Sequence, residues 1–109
     1  MFAGGEHMDV VAIGAAQTPW WSRTLSTVSG PWIRLGVMEG DFHWHKHDDS
    51  DEFFLVLEGQ LDIELEGKIV ELHPGQAFTV PKGAMHFPRA RKRSVVLMVE
   101  KAGVTPTGS

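Results

Sequence analysis

The sequence predicts an all-β fold, a small sandwich or barrel of many short strands. Three observations predict it. Residues 61–66 alternate apolar and polar, the 12 glycines and 6 prolines fall mostly between short apolar stretches, and no helix-period pattern of useful length occurs. The chain has 109 residues, enough for one domain and too few for two.

Taken in order, residues 1–8 read as a flexible lead-in, 9–103 as the barrel domain, and 104–109 as a C-terminal tail. Residues 10–13 are expected to form an edge or exchanged strand. The stretch 17–26, with Trp20 and Trp21, reads as either a short helical turn or an irregular crossover. Residues 32–38 alternate, with Trp32, Arg34, Gly36 and Met38 on one side and Ile33, Leu35 and Val37 on the other. A strand is expected over 53–57. In the next, Leu61, Ile63 and Leu65 face a core while Asp62, Glu64 and Glu66 face water. The turn at Gly67 leads into a strand over 69–72. Pro74-Gly75 turns the chain before a strand over 77–80, and Pro81-Lys82-Gly83 turns it again. Residues 95–99 are rich in β-branched side chains and read as a buried strand.

Composition narrows the function. With 14 acidic and 10 basic side chains the net charge is −4, unlike the basic surface of a sequence-independent nucleic-acid binder. There is no cysteine, which excludes disulfides, thiolate nucleophiles and zinc-finger or iron–sulfur sites. No apolar run approaches the ~20 residues of a spanning helix. The N-terminus lacks the cationic region of a signal peptide, so a cytoplasmic location is expected, with no membrane partner.

Histidine is concentrated: three of the six stand at 43, 45 and 47. On a strand, alternate residues share a face, about 7 Å apart. Glu52 follows an acidic loop, and His86 follows the Pro81–Gly83 turn. Three neutral imidazoles and one carboxylate suit a divalent transition metal such as Zn, Fe, Mn, Ni, Co or Cu. An octahedral ion there would keep open positions for water or substrate.

The spacing His45-x-His47, Glu52, Gly59 resembles the first motif of the cupin superfamily. Gly75, Pro81-x-Gly83, His86 resembles the second, and the 15 residues between Gly59 and Gly75 match the short spacer of small cupins. The stretch 44–59 is most similar to single-domain bacterial cupins of the kind often named mannose-6-phosphate isomerase-like. The resemblance implies a double-stranded β-helix, a small jelly-roll barrel, with a metal in its mouth. It implies His45, His47, Glu52 and His86 as ligands, with Gly59, Gly75 and Gly83 as turn glycines. Two positions depart from the family pattern. Gly40 lies one residue closer to the first ligand than the family glycine does, and Ala90 stands where the family has asparagine.

Around this group, His43 and Phe54 are expected to line a substrate pocket, with Met38, Met85 and Met98 filling gaps. Asp48, Asp49 and Asp51 read as a solvated turn. The basic cluster Arg89, Arg91, Lys92 and Arg93 reads first as a solvated hairpin tip. If that tip folds over the mouth, Arg89 becomes a pocket residue for an anion. Trp20, Trp21 and Trp32 are candidates for a homodimer interface. The function expected is a metal-dependent enzyme of isomerase, lyase or dioxygenase type acting on a small molecule, in which Glu52 doubles as a catalytic base. The alternative is a binding or sensing module in which the metal only holds the ligand.

Overall fold

The computed structural model describes residues 1–105 and Gly108. Pro106, Thr107 and Ser109, part of the expected tail, lie outside the described residues. One short helix, α1 (Val10–Ala15), precedes seven strands: β1 (Trp21–Thr27), β2 (Trp32–Asp41), β3 (Glu52–Glu58), β4 (Leu61–Leu65), β5 (Lys68–Leu72), β6 (Ala77–Val80) and β7 (His86–Glu100). No described helix is long and apolar enough to cross a membrane.

β7 is the spine. Along one edge it pairs antiparallel with β2, from Trp32 opposite Glu100 to Asp41 opposite Arg89. Its other edge is shared: β4 takes the first part, Leu65 opposite His86, and β3 takes the last, Glu52 opposite Glu100. β1 extends the sheet beyond β2, β6 extends it beyond β3, and β5 pairs β4.

The sheet is buried on both faces, which explains the unbroken apolar run in β7. Val96 and Met98 join Phe54, Val56, Leu61, Ile63, Leu72 and Val80 in the interior. Val95 and Leu97 point the other way, into a second cluster with Leu25, Leu35 and Val37. α1 covers that second cluster with Val10 and Ile13, so residues 10–13 form a helix rather than the expected strand. Asp9 starts it by accepting the Ala12 N–H. Arg93 ends it by donating to the carbonyls of Gly14 and Gln17. Gly14 allows the helix to approach, since a Cβ there would stand 2.6 Å from Val95 Cγ1.

Other expectations are revised. The uncertain stretch 17–26 contains most of β1, paired with β2. The lead-in is tied down at Phe2, whose N–H donates to the Leu25 carbonyl at 2.7 Å and whose carbonyl accepts from Ser26 Oγ. Asp62, expected in water, is buried in β4 because Arg91 and Gln60 both donate to its carboxylate. Ala90 is buried in the interior cluster, between Gly40 and Leu61 on the flanking strands. An asparagine amide there would need partners that this apolar setting lacks.

Candidate metal centre

The centre is assembled where β7 begins. The His86 N–H donates to the His45 carbonyl at 2.8 Å and the His45 N–H donates to the His86 carbonyl at 3.0 Å. Two residues on, the His47 carbonyl accepts the Gly83 N–H at 2.8 Å. Glu52 opens β3 beside them. Residues 42–44 and 46–51 lie outside the named strands, so a bridge at His45, rather than a regular strand, aims the imidazoles.

His45, His47, Glu52 and His86 are all buried, and one ligand-capable atom from each lies within 4.8 Å of the others. His45 Nδ1 donates to the His43 carbonyl at 3.0 Å, and His86 Nδ1 donates to the Ala84 carbonyl at 2.9 Å. A carbonyl only accepts, so each Nδ1 carries the proton and each Nε2 presents a lone pair. Nε2 of His47 and Nε2 of His86 each face Glu52 Oε1 at 3.4 Å. These three atoms have no hydrogen-bond partner among the described residues. Buried acceptors facing one another are costly unless a proton or a cation lies between them. The donor set therefore fits a divalent cation that accepts nitrogen and oxygen ligands.

The electrostatics agree. Burial lowers the His45 pKa to about 4, which keeps the ring neutral at ordinary pH, as a ligand must be. Burial works to raise the Glu52 pKa, but its contacts to His47 and His86 prevail and hold it well below the usual carboxylate range. Glu100 goes the other way: burial, then the Glu52 carboxylate, push it up to about 8. Its Oε2 receives no N–H or hydroxyl from the described residues, and it shares a hydrogen bond with Glu52 only when one of the two carboxyls is protonated.

A cavity of about 240 Å³ opens beside the group. Its walls are apolar, with Trp20, Trp21, Met38, Phe42, Phe54 and Met98. The polar lining residues form one connected series: His45 and Glu52 from the group, Glu100 paired opposite Glu52, Arg34 beside Glu100, and Ser22 beside Arg34. Arg34 Nε stands 3.2 Å from Glu100 Oε1, while its two Nη atoms donate to Thr24 Oγ1 and Ser22 Oγ at 2.6 and 2.9 Å. Gly36, between Arg34 and Met38 on the same side of β2, leaves room for the methionines. A Cβ there would come within 2.8 Å of Met38 Cε and 2.9 Å of Met98 Cε.

The cupin domain family matches residues 32–100, which contain the whole of this group. The chain belongs to that family. Uncharacterized protein YdbB of Bacillus subtilis is 41% identical to this cupin over 78 residues, 71% of this chain and 69% of that protein. A cupin-2 domain containing protein from Shewanella frigidimarina has a similar crystal structure, with a TM-score of 0.77 and 30% identity. That likeness covers 84% of this chain and 89% of the other. The Bacillus subtilis HTH-type transcriptional regulator YobQ is 36% identical over 59 residues, 54% of this chain and 24% of the regulator. The rolled antiparallel sheet is thus the double-stranded β-helix of the cupins.

Of the other expected pocket residues, Phe54 lines the cavity of this cupin. His43 does not: its ring stacks on Phe42 at 4.1 Å, and its carbonyl orients His45. Arg89 is also absent from the lining. It sits inside β7, donates to Glu64 Oε1 at 2.9 Å, and lies over the Phe87 ring at 4.4 Å. The basic cluster lies within β7 rather than at a hairpin tip, where Arg91 pairs with Asp62 and Arg93 with Glu58. Trp20 and Trp21, candidates for a homodimer interface from sequence, line the cavity.

Arg34 and Glu100 were missed as site residues. The signal for Arg34 is its shared side with Met38 on β2, and the signal for Glu100 is the period-two series Val96, Met98, Glu100.

Proposed function

We propose that this cupin is a metal-dependent enzyme acting on a small molecule, with His45, His47, Glu52 and His86 holding one divalent transition metal. The observation that carries this reading is the trio of buried atoms, His47 Nε2, His86 Nε2 and Glu52 Oε1, that face one another without a hydrogen-bond partner among the described residues. A bound metal supplies Lewis acidity and, if redox-active, oxygen chemistry. The chain supplies fixed tautomers at His45 and His86 and a largely apolar cavity beside the group. Glu52 both belongs to the group and lines the cavity, so in this reading it also moves a proton for the substrate. Isomerase, lyase and dioxygenase reactions all fit such a centre.

Elemental analysis of protein purified without chelator or nickel resin tests the reading. About one metal per chain is expected, with sharp loss in His45→Ala and His86→Ala. Full occupancy in both variants would defeat the assignment.

The likeness to part of a transcriptional regulator favours a second reading, a ligand-sensing module with the same centre. Recovery of a bound ligand unchanged after prolonged incubation would select it over the enzyme.

We also propose a homodimer. Trp44 and Met85 are 42% and 43% exposed, apolar surface that a second copy would cover. Sedimentation should give twice the chain mass of 12.1 kDa, and a monomer would refute the pairing.

A further inference from the structure

The cavity constrains what this centre can receive. An engineered cavity of about 150 Å³ takes one benzene. The space beside the metal group, about 240 Å³, holds one substituted ring and little more. Trp21, Phe42, Phe54 and Met98 form walls suited to the face or edge of a ring and poorly suited to a molecule with hydroxyls on every side.

The polar lining is equally selective. Among the described lining residues Arg34 is the one cation, and it is already committed to Glu100, Thr24 and Ser22. Two carboxyl side chains, Glu52 and Glu100, paired opposite one another, also line the cavity. A phosphate dianion would find no uncommitted cation of the protein there. The arginines of β7 offer none, since Arg89, Arg91 and Arg93 pair with Glu64, Asp62 and Glu58. Glu100 is 4% exposed, and its Oε2 receives no N–H or hydroxyl from the described residues, so a ligand hydroxyl beside it meets a carboxyl that can accept a proton-bearing group or, when protonated, donate its own.

Building on the metal-site reading above, we infer that the cavity takes a largely apolar, single-ring molecule with its polar groups turned to the Glu52–Glu100–Arg34 series and a hydroxyl directed at Glu100, in preference to a phosphorylated sugar, for which the side chains offer no uncommitted cation. Trp20, half exposed and 5.8 Å from the Phe42 ring, closes over the ring from the rim.

Calorimetric titration of metal-loaded protein with phenol, and separately with glucose 6-phosphate, tests this. Phenol should bind saturably and more tightly than glucose 6-phosphate. Trp20→Ala, a change at an exposed rim that leaves the core intact, should weaken phenol about fivefold to tenfold. Glu100→Gln should also weaken phenol while leaving the response to toluene unchanged. Preference for glucose 6-phosphate, absence of phenol binding, or equal phenol affinity in wild type and both variants would overturn the inference. Elemental analysis of the same sample separates the two readings. A metal-free chain that still takes phenol fails the metal assignment and keeps the cavity inference. A metal-loaded chain that ignores phenol does the reverse.

Discussion

Glu52 and Glu100 stand directly opposite one another in the β3–β7 ladder, the first residue of one strand against the last of the other. The pairing places a second buried carboxyl beside the proposed metal group, and Arg34 pairs with that carboxyl at 3.2 Å. Two such carboxyls do not ionise together at low cost, and Glu100 is the one that keeps its proton, with a pKa raised from 4.5 to about 8.

A pH dependence follows for the metal-free chain. Between pH 4.5 and about 8 the folded chain holds a proton on Glu100 that the unfolded chain has released, so this group's stabilisation is lost as pH rises through that window. His45 acts oppositely between about 4 and 6.5, where the unfolded chain binds the extra proton. Above pH 6.5 the Glu100 effect stands clear of it. Urea midpoints of chelator-treated protein should therefore fall from pH 7 to pH 8.5, and Glu100→Gln should flatten the slope. A wild-type midpoint that rises over that range would contradict the assignment.

Metal loading should stabilise the fold, because the four donors converge only when the chain is folded. At free metal 100 times the dissociation constant the gain is about 2.7 kcal/mol. Melting curves with and without zinc should show it in the wild type and lose it in His86→Ala. An equal shift in both proteins would place the metal elsewhere.

The turn glycines differ in what they tolerate. Gly59 and Gly75 both have positive φ, 89° and 84°. At Gly75 nothing lies within 4 Å of an added Cβ, so Gly75→Ala should cost only the backbone strain, about 1–2 kcal/mol. At Gly59 the Cβ would also meet the Arg93 carbonyl at 2.6 Å and Ser94 Cα at 2.7 Å. Gly59→Ala should then cost about 2–5 kcal/mol, strain and overpacking together. Equal urea midpoints for the two variants would refute the distinction.

How much of this was legible depended on whether a residue's neighbours in sequence were also its neighbours in space. Leu61 and Ile63 alternate because one face of β4 meets the interior, and Val95 to Val99 is apolar throughout because β7 is buried on both faces. The grouping of His45, His47, Glu52 and His86 was readable because motif spacing stood in for the missing coordinates. α1 was not readable, since six residues are too few to display a helical period. β1 was hidden because its burial is mixed and its polar residues, Ser22 and Thr24, are spent on Arg34. Asp62 was misread, and Arg34 and Glu100 passed over, for one shared reason. A charged residue in a strand reads as solvated, and the partner that permits its burial lies on another strand.

Asp51 offers a test of how the two motifs are held together. Its Oδ1 accepts the Lys82 N–H at 2.9 Å, while the next N–H, of Gly83, goes to the His47 carbonyl. The acidic loop expected only to be solvated thereby fixes the 81–83 turn that delivers His86. Asp51 is exposed, and its removal leaves Lys82 N–H free to bond water, so Asp51→Ala should cost under about 1 kcal/mol of stability. Its effect on the centre should be larger, because a looser turn lets His86 move against His45. Metal affinity is expected to fall by about tenfold or more, as when support behind a ligand is lost. Competition with a chelating dye would measure this, with Asp51→Asn, which keeps the accepting oxygen, restoring most of the affinity. Wild-type affinity in Asp51→Ala would show that the backbone bridge between His45 and His86 positions the imidazole unaided.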